Sequence, residues 1–581
     1  MIKLARHGKF FTLFMTLAFI FTTTSFAAAP APAWGSKGAV ATAHPLATQA
    51  AAKVLEEGGN AFDAALAAIF TLDVVTGYSL GIGGGEFWVI RTAQDDKITT
   101  FDGRESAPAA AHRDMYIDPN DSTGAVIPGL STMGPLAGGT PGSVAVRGVI
   151  HEKYGSKSWK RLLSPGIEAA DKGFMLTPGQ GRVFEASAPY LAMYETSKNI
   201  IFKDDSLTWG VGDIFVQKDL ANTLKRIAKN GPDEFYEGET ALEMVRYLSE
   251  NGGILTLDDL KNYEVIEREP VSGTYRDYEV YSMAPPSSGG IHIIQMLNML
   301  EEWNLEQFGR YSADYYHHLT EVMKAAFADR SEYLGDPAWV NVPVDGLISK
   351  DYADDLRSRI EKMWQVKVHG PGNPMMFMDN PPDSLLKPSH TSHLSVIDKW
   401  GNMVAITSSV NTHFGSKVVL GNTGIFFNNT MDDFSIRPGY PNYFGLIGSE
   451  ANAIAPNKRP LSSMSPTILL KDGKPFMAIG GAGGPKIITG TLQSILNVID
   501  FKTDIQDAIS DPRIHHQWSP NYLFIDDLVS PETAKALYDM GHRVLRYPPG
   551  SVVQGVMLDP ESGLYFGAAD PRAGGSAAGI H

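Results

Sequence analysis

The chain contains no cysteine in its 581 residues. That excludes disulfides, a thiolate nucleophile and any zinc–cysteine site. It also lacks an excess of positive charge. The formal net charge is −16, so the basic surface that a nucleic-acid partner needs is missing. No internal repeat and no long run of like charge breaks the sequence. What is present is ample apolar material, 43% of residues against 20% charged. A chain of this size can bury a core without covalent staples. Length alone suggests three or four domains, as a soft prior.

The first residues have the three parts of a secretory signal. Lys3, Arg6 and Lys9 give a positive start, Phe10 to Phe21 is apolar apart from Thr12 and Thr16, and Ser25, Ala27, Ala28 and Ala29 are small. The apolar run, about 12 residues, is short for a membrane-spanning helix. An uncleaved anchor is the alternative. The favoured cut follows Ala27, because Pro30 makes a poor residue directly after one. Residues 1–27 are thus expected to be removed and the protein to be exported, with the periplasm its natural home and full secretion the other possibility.

From Leu46 the pattern becomes helical, and Gly58-Gly59 stops it. Asn60 is placed to cap a second helix over 61–75, with Phe62, Leu66, Ile69 and Phe70 on one face. Ser79 to Gly85 leads into an expected buried strand over 86–91, and helices are expected over 291–303 and 315–333. Met363 to Pro388 is poor in periodic pattern and holds five prolines, at 371, 374, 381, 382 and 388. It reads as a flexible segment at a boundary.

Two strand-like runs follow, 393–397 and 403–410, joined by Asp398-Lys-Trp-Gly-Asn402. The loop has turn chemistry, and Gly401 can supply a positive φ. Antiparallel pairing about it brings Ser408, Ser409 and Asn411 near Thr391 by register alone. Taken alone, a threonine opposite a serine is more often an ordinary cross-strand pair than a catalytic one.

The surrounding sequence is more specific. Thr391-Ser-His393-Leu-Ser395, Gly401-Asn402, Thr407-Ser-Ser409-Val-Asn411 and Phe414-Gly415 resemble the signature of the γ-glutamyltransferases. The resemblance extends through Asp102-Gly-Arg104-Glu-Ser-Ala-Pro108, Gly139-Thr-Pro-Gly142, Pro285-Pro-Ser-Ser-Gly-Gly290 and Ala328-Asp-Arg-Ser-Glu-Tyr-Leu-Gly-Asp336. It continues through Asn428-Asn429, Met431-Asp-Asp-Phe434, Pro460-Leu-Ser-Ser-Met-Ser-Pro466, the glycines at 480–484 and Asp570-Pro-Arg572. These landmarks run in family order from about residue 35 to the end.

The resemblance implies an α+β, four-layer αββα N-terminal nucleophile hydrolase fold, with two β-sheets face to face between helical layers. It implies self-cleavage at His390–Thr391 into a large subunit, 28–390, and a small catalytic subunit, 391–581, that stay together as a heterodimer. Thr391 would carry the attacking hydroxyl and a free α-amino group. The pKa of such an amine, roughly 7.7–8, lets it act as the base. Ser409 matches the residue that orients the threonine; relatives commonly have threonine there, so slower or looser self-processing is expected. Gly483 and Gly484 match the oxyanion hole, at the start of a helix expected over 485–499 after a strand over 476–480. Arg104 matches the arginine that takes the substrate α-carboxylate, with Ser462 and Ser463 in support. Asn411 and Asp433 match the groups that hold the ammonium.

Two departures stand out. Thr430 replaces a Gln or Glu that helps bind the ammonium. Phe444 replaces a lid tyrosine within 438–447, so a looser lid and wider acyl tolerance are expected. Without the resemblance, Gly483-Gly484 reads as a tight turn, Arg104 beside Asp102 and Glu105 as a surface ion pair, and Asp432-Asp433 as a solvated turn.

Other signals fail on inspection. Gly81-x-Gly83 lacks the third glycine of a dinucleotide fingerprint, and Gly480 to Lys486 is no P-loop. His151-Glu152 lacks a second histidine for a zinc-protease helix. The pairs His317-His318 and His515-His516 read as buried or surface histidines. No metal and no organic cofactor is expected. The expected partners are γ-glutamyl donors such as glutathione and amino-acid or peptide acceptors. No nucleic-acid partner is expected, and no membrane anchor once the signal is removed. A glutaryl- or cephalosporin-type acylase on the same fold is the nearest rival, ahead of a poly-γ-glutamate enzyme and a scaffold with a dead site.

Overall fold

The computed structural model describes residues 30–204, 207–361, 391–547 and 550–581. The expected signal, the proline-rich segment and His390 of the expected scissile bond lie outside the described residues. The remainder, from Pro32 to His581, forms one compact unit.

Its centre is two seven-stranded sheets. In one, the strands run in the order Ser576–Ile580, Gly38–Thr42, Ser392–Asp398, Met403–Ser409, Gly85–Arg91, Ile98–Gly103 and Ile266–Arg268. The other runs Ala33–Gly35, Tyr565–Ala569, Val552–Leu558, Lys474–Ala482, Thr467–Lys471, Tyr278–Ser282 and Val271–Tyr275. Both sheets therefore combine strands from before and after position 391.

Period-2 alternation divides the apolar residues among three cores. Ala39, Ala41, Met403, Ala405, Ile468 and Ala478 point into the space between the sheets. Val40, Leu394, Val396, Val404 and Ile406 point the other way, against the helices Pro45–Glu56, Ala61–Val75, Ser143–Tyr154 and Trp159–Lys172. Leu469, Met477, Ile479 and Val553 face a second helical layer made of Gly289–Leu300, Ala313–Tyr333 and Lys486–Ile499. Helix, sheet, sheet, helix is the four-layer order expected.

The helix at Ala61–Val75 starts where Asn60 accepts from the Asp63 N–H at 2.9 Å while the Asp63 carboxylate accepts from the Asn60 N–H at 3.1 Å. That reciprocal pair satisfies two donors at the helix start. One apolar face was expected, yet every residue of this helix is buried. It lies between the sheet and two other helices, and a helix apolar all round needs such a place.

Burial also forces charge pairing here. Arg147, fully buried, donates to Asp73 on this helix and to Glu86 on the adjoining strand (2.9 Å), with its guanidinium 4.7 Å from the Phe70 ring centroid. The other expected elements fall within two or three residues of their places, Gly289–Leu300 for 291–303 and Ala313–Tyr333 for 315–333 among them.

Candidate active site

The hairpin follows the register read from sequence. Ser392 pairs with Ser408 and Ile397 with Met403. Gly401 turns the chain at φ 89°. Asp398 closes the loop by accepting from the N–H groups of Trp400 and Asn402, at 2.9 and 3.0 Å. Its second oxygen accepts from the N–H of Ala61 at 2.9 Å, tying the hairpin to the helix beneath.

One residue beyond the last ladder pair, the Thr391 Oγ1 lies 3.2 Å from the Ser409 Oγ. The Ser409 oxygen also accepts from the Asn411 N–H at 2.8 Å. Asn411 has φ 79°, a left-handed conformation that asparagine tolerates better than most residues. That conformation turns its side chain to donate to the Asn429 carbonyl at 3.0 Å. Ser408, also expected near Thr391, is buried in the sheet beside it.

Gly483 and Gly484 have φ of 136° and 57°, the left-handed half of conformational space where glycine is favoured. Their carbonyls accept from Lys486 and Ile487, opening the helix Lys486–Ile499. Among the described residues their N–H groups take no backbone acceptor. Pro485 caps this helix instead of forming its first residue. The tight turn and the anion-binding helix start read from sequence are thus one piece of backbone.

Thr391 borders two cavities. The smaller, about 30 Å³, is lined by Arg104, Arg330, Asn411, Asp433 and Phe444, with Ser409, Ser462, Ser463 and Gly484 around them. That is space for about one water molecule. The larger, about 440 Å³, has His44, Tyr78, Lys486 and Gln554 in its wall.

Arg104 is an interior group, 1% exposed, and Asp433 is mostly buried with its side chain 13% exposed, so they are not the surface pair and solvated turn that local sequence suggests. The Arg104 guanidinium donates to Asp433, to Glu105 (3.3 Å) and to the Pro460 carbonyl (3.3 Å). Burial works against its charge, but Glu105 and Asp433 more than offset that and hold its pKa above the ordinary value. The two carboxylates share one cation. Burial pushes Glu105 up to about 7 and raises Asp433 too, with Arg104 opposing both.

Thr430 does not line the small cavity. It is fully buried, and its hydroxyl donates to Asn428 Oδ1 at 2.7 Å. Phe444 covers the cavity, 8% exposed. Its carbonyl accepts from Gln517 Nε2 at 3.1 Å, and its N–H, like that of Leu446, donates to Asn442 Oδ1 at 3.0 Å. The neighbouring Tyr443 N–H donates to Asp432 at 2.8 Å.

Arg330 is a cavity residue not among those expected from the sequence. It lies on Ala313–Tyr333 and is 5% exposed. Its Nε donates to Ser288 Oγ at 3.0 Å and another nitrogen to Ser463 Oγ at 3.1 Å. A signal was available: Leu319, Met323, Ala326 and Arg330 repeat at helical spacing, which puts a cation on the buried face.

The histidine pairs read as non-ligands are largely satisfied by neighbours. His515 contacts Thr489 at 2.9 Å and His516 contacts Asn521 at 3.0 Å. His317, Glu321 and His542 are close enough to share an ion, but His317 already contacts His542 at 2.8 Å and Lys324 donates to both Glu321 oxygens.

Two sheets between helical layers, with a hydroxyl at the start of an inner strand and paired N–H groups at a nearby helix start, define an enzyme of the N-terminal nucleophile hydrolase class. The comparisons narrow this. The family model described as gamma-glutamyltranspeptidase matches residues 47–580. The glutathione hydrolase proenzyme of Escherichia coli (strain K12) is 42% identical over 545 residues, covering 93% of this chain and 91% of the relative. The acylase ACY 1 proenzyme of Pseudomonas sp. (strain SE83) is 35% identical, covering 94% of each. The crystal structure of cephalosporin acylase from Bacillus halodurans superposes with a TM-score of 0.83 at 27% identity, covering 97% of this chain and 99% of that one. The chain belongs to the gamma-glutamyltranspeptidase family.

Proposed function

We propose that the protein is a γ-glutamyltransferase and glutathione hydrolase, made as an exported precursor that cuts itself at His390–Thr391. The observation that carries this is the Thr391–Ser409 hydroxyl pair at the mouth of a cavity holding Arg104 and Asp433. Among the described residues no helix is long and apolar enough to cross a membrane, and a signal in 1–27 would leave the mature protein in the periplasm or outside the cell.

In the precursor the Thr391 hydroxyl attacks the carbonyl of residue 390; the C–N bond breaks, which frees the α-amino group and leaves an ester on Oγ1, and water hydrolyses that ester to release the residue-390 carboxylate and restore the hydroxyl. That amine then takes the hydroxyl proton as Thr391 attacks the γ-carbonyl of the donor. The N–H groups of Gly483 and Gly484 receive the developing oxyanion. The amine of the leaving group departs with the proton, leaving a γ-glutamyl ester on Thr391. Water then gives glutamate, and an amino acid or peptide gives the transfer product. The larger cavity offers room for the leaving group and the acceptor. Subunits 28–390 and 391–581 remain one folded body.

Denaturing intact mass, read beside Thr391→Ala, tests the cut: two fragments, the smaller starting at Thr391, are expected only in the unmutated protein. An uncut, fully active protein would overturn the proposal. The acylase-named relative and the withdrawal of Thr430 from the cavity favour a glutaryl acylase as the second reading. Asp433 in the cavity wall weighs against it, because a glutaryl group has no ammonium to meet. Faster cleavage of glutaryl than of γ-glutamyl anilide would reverse the order of the two readings.

A further inference from the structure

The small cavity holds two guanidinium groups, and they are not equally satisfied. Arg104 spends its Nε on the Pro460 carbonyl and its two terminal nitrogens on Glu105 and Asp433. Arg330 is nearly as deeply buried, yet its guanidinium donates to two neutral hydroxyls, Ser288 and Ser463. Among the described residues no carboxylate oxygen lies within 4.0 Å of its guanidinium. Burial lowers its pKa to about 10, with Asp433 opposing, so it stays a cation at neutral pH. A buried cation without an anion is costly, and such a site favours a ligand that brings one.

We propose that Arg330 is a second carboxylate-binding residue of the acyl pocket, and that donor binding exchanges ion pairs there. This rests on the γ-glutamyl reading. The donor's α-carboxylate settles between Arg330 and Arg104, displacing Asp433 from Arg104. The freed Asp433 takes the donor's ammonium. Both donor charges are matched, and no buried group is left unpaired at the end. Ser463 serves both roles, holding Arg330 and lining the wall beside the carboxylate.

The test is steady-state kinetics on the self-processed enzyme with two donors, γ-glutamyl anilide and γ-aminobutyryl anilide, which differ only in the α-carboxylate. Arg330→Gln is expected to lower kcat/KM for the γ-glutamyl donor by about 10- to 100-fold, as for a lost charged hydrogen bond. For the decarboxylated donor it should change by less than about threefold. Arg330→Lys should recover part of the loss, and it carries the same comparison if Arg330→Gln fails to fold or process. Equal losses on both donors, or none on either, would overturn the proposal. Processed unmutated enzyme that cleaves neither donor would instead sink the γ-glutamyl reading.

Discussion

The Ser409 hydroxyl lies 3.2 Å from that of Thr391 while accepting the Asn411 N–H at 2.8 Å, so one oxygen is fixed between nucleophile and backbone. At that distance either hydroxyl can donate to the other, so Ser409 is placed to orient the Thr391 oxygen. Ser409→Ala should therefore slow precursor cleavage by at least tenfold. Ser409→Thr, which adds a methyl that stiffens χ1, should speed it. A gel time course of freshly translated precursor checks both. Unchanged cleavage in Ser409→Ala would remove this residue from the machinery.

Arg104 should matter through its fork and not only through its charge. Arg104→Lys is expected to raise KM for a γ-glutamyl donor by about 10- to 100-fold, the cost of losing charged hydrogen bonds. Asp433→Asn should weaken γ-glutamyl donors while leaving glutaryl donors little changed. Comparing the two donor series would show whether this carboxylate meets an ammonium.

Gln517 holds the Phe444 carbonyl over a cavity with room for one water. A donor cannot enter without moving this segment. Gln517→Ala removes one neutral hydrogen bond, worth about 0.5–1.5 kcal/mol. Faster product release and a two- to tenfold higher KM are expected, read by burst kinetics. Unchanged kinetics would mean that the bond does not hold the cover closed.

Several histidines are buried uncharged. His393 contacts Thr407 and Ser395 at 2.9 Å each, and burial lowers its pKa to about 3. The same cause lowers His292, His515 and His542 to about 3. Below about pH 6.5 the unfolded chain binds protons that the folded one does not, so stability falls as pH falls from 6.5 toward 3. Each such group contributes up to about 1.4 kcal/mol per pH unit within that window. Urea titrations at pH 7.5, 6 and 5 should show a steady loss, and His393→Gln should reduce the slope. A flat profile would contradict neutral burial.

Arg147→Met should destabilise by about 3–5 kcal/mol, because it strands the buried carboxylates of Asp73 and Glu86. Chemical denaturation measures this directly. Substituting all three by apolar residues should recover much of the loss.

The hairpin was legible because alternation, turn chemistry and register are local, and they alone put Ser409 opposite Thr391. Helix boundaries came within a few residues for the same reason. What the chain order could not reveal was which long-range groups would meet. Arg104 and Asp433 are 329 positions apart, and their neighbours suggested surface charges. Nothing local announces that a carboxylate will share its cation with Glu105. Thr430 was placed by analogy, and its actual partner, Asn428, is two residues away. Arg330 was readable in principle from helical spacing, yet its role appears only when Ser288 and Ser463 arrive from elsewhere.

Both sheets interleave strands from either side of position 391, with Gly38–Thr42 lying between Ser576–Ile580 and Ser392–Asp398. With the proposed cut at 390–391, this weave would make folding a one-time event. The intact chain assembles itself by a unimolecular route, at a rate independent of concentration. Two separate unfolded fragments would have to find each other in solution before any inner strand gained its neighbours. The cut enzyme is then held by its unfolding barrier as much as by its equilibrium stability, and heat inactivation should be far less reversible for the processed protein than for an uncut Thr391→Ala precursor.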